Sequence, residues 1–172
     1  MEPLSEKQIR RSLVNCSKGE ASRLRMPAGL AGLDWENYDY LGWIDPGAPL
    51  RAALVAPGPR HGSDGPVGIV LRAPAVSASS ATRSSLCSIC FTGHASSGVS
   101  LFVAPLAGAR GREGDSAGIY LCADLACSLY LRGLRRPALR TRQHEETLTV
   151  AERSARAMAH LDAFLAKVVS AA

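Results

Sequence analysis

The distribution of apolar residues, turn formers and cysteines predicts an α+β fold, and three observations carry that reading. Helix-opening signatures stand near both ends of the chain, at Ser5 and at Thr149. Between Tyr40 and Leu71, three short apolar runs are separated by segments dense in glycine and proline. Four cysteines then occur as two close pairs, Cys87 with Cys90 and Cys122 with Cys127, with a long insert between the pairs. An N-terminal helix and an antiparallel β meander, joined to a four-cysteine module and followed by a long C-terminal amphipathic helix, satisfy all three.

A chain of 172 residues suits one compact domain, or two small ones sharing a core, and can bury substantial apolar surface without disulfide staples. The formal net charge of +5 favours an acidic partner such as RNA, the ribosome or an acidic protein surface. No apolar stretch approaches the roughly 20 residues of a membrane span, and the first residues lack the basic start and apolar run of a signal peptide. A cytoplasmic location is therefore expected. In that reducing compartment, paired cysteines act as metal ligands or redox groups rather than as structural disulfides.

Ser5, with Gln8 three residues on, reads as a capping box opening a helix whose apolar stripe is Ile9, Leu13 and Cys16. Cys16 is expected as a small buried core residue on that stripe. A second short helical stretch is read from Gly19 to Met26, ended by Pro27. The runs Tyr40–Ile44, Arg51–Val55 and Pro66–Leu71 are separated by Asp45-Pro46-Gly47 and by the glycine- and proline-rich segment 57–65, and so read as a three-stranded antiparallel meander. Trp35, Tyr38, Tyr40 and Trp43 beside it are assigned to the core rather than to a base-stacking platform. Residues 75–85 are small and polar without apolar period, as in a linker.

The cysteines come next. Cys87 and Cys90 bracket a tight turn, residues 99–103 and 118–121 are β-prone, and Ala107 to Ala117 reads as a long hairpin loop. The second of these strands runs into Cys122, and the residues after it read as the start of a helix carrying Cys127. Knuckle, hairpin and helix N-terminus in this order make a treble-clef zinc finger, and the positive end of the helix dipole favours thiolate at Cys127. Cys87, Cys90, Cys122 and Cys127 fill all four positions of a tetrahedral site, so one zinc ion held by them is structural rather than catalytic. His94 is near enough to replace a cysteine or to support one, and Asp124 to cap the helix or accept an amide; the supporting role is expected for each. His61 sits among turn formers and is expected to be exposed, and His144 lacks the second histidine of a zinc protease motif. No dinucleotide fingerprint, P-loop or nucleophile elbow is present, and no acid–base set assembles, so no enzymatic activity is expected.

Arg132, Arg135, Arg136, Arg140 and Arg142 then follow without an intervening acid. They read either as a solvated basic loop or as a contact for phosphate or for carboxylates of a protein partner. The last helix is opened by Thr149 with Glu152 as a capping box, and its apolar face is Val150, Ala157, Met158, Leu161, Phe164, Leu165 and Val168. Three segments are expected: residues 1–80 as helix plus sheet, 81–142 as the finger with its basic tail, and 143–172 as a helix packing on the core.

At Ser88–Cys90, at Gly98–Phe102 and above all at Tyr120–Tyr130, the sequence resembles the elongation-factor-G-binding family, whose best known members protect the translocase from fusidic acid. The segments Glu6–Glu20 and Leu41–Pro46 resemble short actinobacterial-type members, so the likeness spans nearly the whole chain. The resemblance implies a zinc-stabilised, noncatalytic protein that binds elongation factor G and influences its release from the ribosome, with the four cysteines as zinc ligands. By position near the finger, the expected partner contacts are Phe91, Phe102, Tyr130 and Arg132, together with Arg135 and Arg136, an aromatic-plus-basic set suited to a protein hot spot. The alternative from another class is a finger that binds RNA or the ribosome through the arginine cluster.

Overall fold

The computed structural model describes residues 1–75, 84–95, 98–137 and 147–169. Most of the expected linker lies outside the described residues, as do Arg140, Arg142, His144 and the expected divisions at residues 80 and 142.

Helix α1 (Glu6–Ser12) opens with the expected box: the Ser5 amide donates to Gln8 Oε1 at 2.8 Å and the Gln8 amide to Ser5 Oγ at 3.3 Å. The chain leaves the helix at Leu13, earlier than the Ile9–Leu13–Cys16 stripe implies, because it goes on to pair with a strand. Leu13 bridges Gly68 in parallel, and the Val14 amide donates to the Gly68 carbonyl at 3.0 Å. The approach needs glycine, since a Cβ at Gly68 would stand 2.5 Å from Ser12 Oγ. Helix α2 (Lys18–Arg23) is opened by a second capping box, Ser17 with Glu20.

The meander forms as expected, as β1 (Leu41–Ile44), β2 (Arg51–Ala56) and β3 (Val67–Arg72). Its first turn is built on Asp45, which accepts the Gly47 amide at 2.8 Å and two nitrogens of Arg51 at 2.9 and 2.6 Å. The knuckle strands β4 (Ser84–Leu86) and β5 (Gly93–Ala95) pair with each other. The hairpin strands are β6 (Val99–Pro105) and β7 (Ser116–Cys122). The segment between them, expected as loop, contains a helical turn, α3 (Gly108–Arg112). Two glycines allow it: Gly108 has φ 74°, and a Cβ at Gly111 would collide with the Leu106 carbonyl at 1.7 Å.

Hairpin and meander form one five-stranded antiparallel sheet in the order β1-β2-β3-β6-β7. The sheet thus runs across the boundary expected near residue 80. The β3–β6 junction has one paired position, Arg72 with Val103. Asn15 closes the divergence: its amide nitrogen donates to the Val70 and Pro105 carbonyls, both at 2.9 Å, and its oxygen accepts the Val70 amide at 2.7 Å. Buried polar backbone that strands cannot pair needs such a partner.

Strand alternation sorts the core into two layers. Ala53 and Val55 of β2, with Leu41 and Trp43 of β1, pack against α1, α2 and Trp35. Ala52, Leu54 and Ala56, with Tyr40, Ile69 and Leu71, face the other way and join the four cysteines, α4 (Cys127–Leu131) and α5 (Val150–Val169). Trp35, Tyr40 and Trp43 are all buried. Helix α5 carries the expected Thr149–Glu152 box. Ala157, Leu161, Phe164, Leu165 and Val168 of its apolar face are buried and Met158 partly so, whereas Val150 at the first turn remains exposed. Among the described residues no helix is long and apolar enough to cross a membrane.

Candidate metal centre

The first cysteine pair is presented by a tight turn. The Phe91 amide donates to the Cys87 carbonyl at 3.0 Å and the Cys87 amide to the Thr92 carbonyl at 3.1 Å, which places Phe91 in the left-handed region at φ 57°. The second pair repeats the arrangement: Cys122 ends β7, the Leu125 amide donates to the Cys122 carbonyl at 2.8 Å, and Leu125 has φ 57°. Cys127 then opens α4. Asp124 terminates this loop as expected, its Oδ1 accepting the Ala126 amide at 3.1 Å.

All four sulfurs are buried and lie within 4.8 Å of one another. Cys87 and Cys127 are 3.6 Å apart, and Cys90 and Cys122 are 3.4 Å apart. Disulfide sulfurs sit at about 2.05 Å, and all five cysteines are free. A tetrahedron with Zn–S bonds of about 2.3 Å has sulfur–sulfur edges of roughly 3.8 Å, close to the spacing observed. The donor set is all thiolate, which suits zinc, and with four protein ligands the site is closed to water. The cysteines at 87, 90, 122 and 127 therefore hold one structural zinc ion in a treble-clef finger.

The thiols perturb one another. Cys87 is pushed down and Cys122 pushed up by their hydrogen bonding with the other sulfurs of the cluster. His94 is buried, with Nε2 3.2 Å from Cys122 Sγ and its ring edge-on to Tyr130 at 4.8 Å. Burial pushes its pKa down against the charges of Asp124 and Cys87, which favours the neutral ring, and the ring stands beside Cys122 outside the group of four sulfurs. Gly98 makes room for it, since a Cβ there would stand 2.5 Å from His94 Cβ. Tyr130 donates its hydroxyl to Asp124 Oδ2 at 2.9 Å; burial and then this hydrogen bond push its pKa up to about 12.

The family model for the FBP C-terminal treble-clef zinc-finger matches residues 8–168. The chain belongs to that family. Neither the search of curated proteins nor the search of solved structures returns a match. In this FBP zinc-finger chain, the meander and terminal helix lie within the matched region together with the cysteines, in accord with the continuous sheet.

The expected partner contacts fall into three groups. Phe91 is exposed, stacks edge-on with His160 at 5.0 Å and has the Arg156 guanidinium 4.7 Å from its ring centre. Arg135 and Arg136 are exposed, Arg135 reaching Asp124 at 3.1 Å, and Tyr130 is half-buried. Phe102 is a correction: at 1% exposure it lies inside the cysteine layer, because strand alternation turns it inward and turns Leu101 out. A pattern with period two cannot say which parity faces the core. Leu101 and its cross-strand neighbour Tyr120 are both exposed and were not among the expected contacts. Arg132 is half-buried and forms a two-pronged pair with Asp39 at 2.6 and 2.8 Å. Its guanidinium is committed to an internal tie rather than open to a partner.

Proposed function

We propose that this FBP zinc-finger protein is a noncatalytic cytoplasmic module that binds elongation factor G and modulates its release from the ribosome. The observation that carries the reading is family membership over nearly the whole chain, joined to the resemblance at Tyr120–Tyr130. The closed thiolate site supports it: such a metal supplies folding energy and leaves recognition to residues around it. Phe91, Tyr130, Arg135 and Arg136 supply an aromatic and basic set for that contact, the composition of protein hot spots.

Titration of the zinc-loaded protein against purified elongation factor G, with and without ribosomes, tests the proposal. Saturable binding at tens of micromolar or tighter is expected, together with weaker binding by Arg135→Ala or Arg136→Ala. Absence of binding at those concentrations contradicts it. If the affinity is for RNA instead, it falls steeply with salt as counterions are released from phosphates.

A further inference from the structure

Four thiolates around one divalent cation leave net negative charge inside a core, and such charge requires hydrogen-bond donors from outside the ligand set. Three sulfurs have a hydrogen-bonding neighbour in the knuckle itself. The Cys90 amide hydrogen-bonds to Cys87, the Thr92 hydroxyl lies 3.2 Å from Cys90 Sγ, and His94 Nε2 lies 3.2 Å from Cys122 Sγ. Cys127, at the start of α4, has no such neighbour in the knuckle among the described residues.

Tyr40 stands on that side of the site. Its side chain is 1% exposed and belongs to the same apolar layer as the four cysteines. Its hydroxyl is buried without a hydrogen-bond partner among the described residues, and the Cys127 thiol is a neighbour that acts on it. A buried hydroxyl left unpaired bears the full cost of its lost hydration, so a native core retains one where it has a partner. The backbone brings the two together. Tyr40 and Gly42 share a face, and a Cβ at Gly42 would stand 2.9 Å from Leu125 Cβ and 3.1 Å from its carbonyl oxygen. The missing side chain lets the Cys122–Cys127 loop lie directly on β1, with the tyrosine beside the sulfurs.

We propose that the Tyr40 hydroxyl donates to the zinc-bound thiolate of Cys127, and that this bond ties metal loading to the docking of the meander on the finger. Tyr40 is a positioning residue: it touches a ligand and not the metal. Phe91 and the exposed arginines play no part in it, so it stands or falls independently of partner binding.

Tyr40→Phe keeps the ring and removes the donor. Two readouts on the full chain separate a hydrogen bond from packing: zinc affinity by chelator competition, and the sulfur-to-metal charge-transfer band of the cobalt-substituted protein. The expected result is a loss of about tenfold in zinc affinity, the lower end for residues that support metal ligands, with the band moved to longer wavelength as the sulfur becomes more electron-rich. An unmoved band overturns the proposal whatever the affinity. If the variant fails to fold, the cadmium-substituted wild-type protein decides. A slowly exchanging Tyr40 hydroxyl proton with scalar coupling to ¹¹³Cd supports the bond, and absence of that coupling overturns it.

Discussion

Asp39 shows how much of this molecule depends on single polar side chains. Its carboxylate accepts both prongs of Arg132 from the end of α4 and the hydroxyl of Ser154 from α5, while its own amide donates to Ser128 Oγ at 3.0 Å. One residue ahead of Tyr40 therefore ties the meander to both helices of the finger side. Burial works to raise its pKa, but the hydrogen bonds from Arg132 and Ser154 and the charge of Arg132 outweigh burial and hold it below its ordinary value of 3.8. A depressed carboxylate adds stability above its unfolded pKa and loses it as pH falls through the folded one. Asp39→Asn is therefore expected to cost about 2 kcal/mol at neutral pH, below the roughly 3–5 kcal/mol of a fully buried broken pair. In urea titrations the gap from wild type should hold steady above about pH 4 and close below it. A gap independent of pH would assign the loss to packing. Ser154, a small hydroxyl near the start of α5, is thus a partner of this carboxylate.

At the scale of elements, α5 and β1 carry different kinds of burden. Helix α5 covers the cysteine layer with five buried side chains. Leu161→Ala should destabilise by about 2–5 kcal/mol, whereas Val150→Ala on the same helix should stay within about 0.5 kcal/mol; urea midpoints of the two distinguish a covering helix from an undocked one. Strand β1 acts through close approach rather than bulk. Gly42→Ala puts a methyl group against Leu54 Cδ2 at 2.8 Å as well as against Leu125, an overpacking worth about 1–3 kcal/mol. Because Leu125 lies between two ligands, zinc affinity by chelator competition should fall in that variant as well. Unchanged affinity would mean that the loop relaxes without moving its sulfurs.

The elements themselves were legible because their signals are local. Ser5 with Gln8, Thr149 with Glu152 and the two cysteine pairs each state their role within a few residues. The joins between elements were not. Asn15 bridging β3 to β6, Gly68 admitting the chain after α1, and Arg132 turning inward to Asp39 depend on partners far away in sequence, and nothing in the flanking residues marks them. Phe102 failed for a related reason, since alternation gives two faces without naming the buried one.

For the whole molecule, the consequence of these joins is that the metal site is not an appendage. Its sulfurs belong to the layer shared by the sheet and both finger-side helices, so the binding energy of zinc, about 10–16 kcal/mol in small zinc modules, acts on the entire fold. Zinc removal should lower the thermal midpoint of the meander and finger together in a single transition. Native mass spectrometry combined with alkylation of free thiols tests whether the four sulfurs form a closed zinc centre. One zinc per chain, with Cys87, Cys90, Cys122 and Cys127 protected until a chelator is added, is the predicted result. A metal-free folded chain with those thiols reactive, or joined as disulfides, would contradict it.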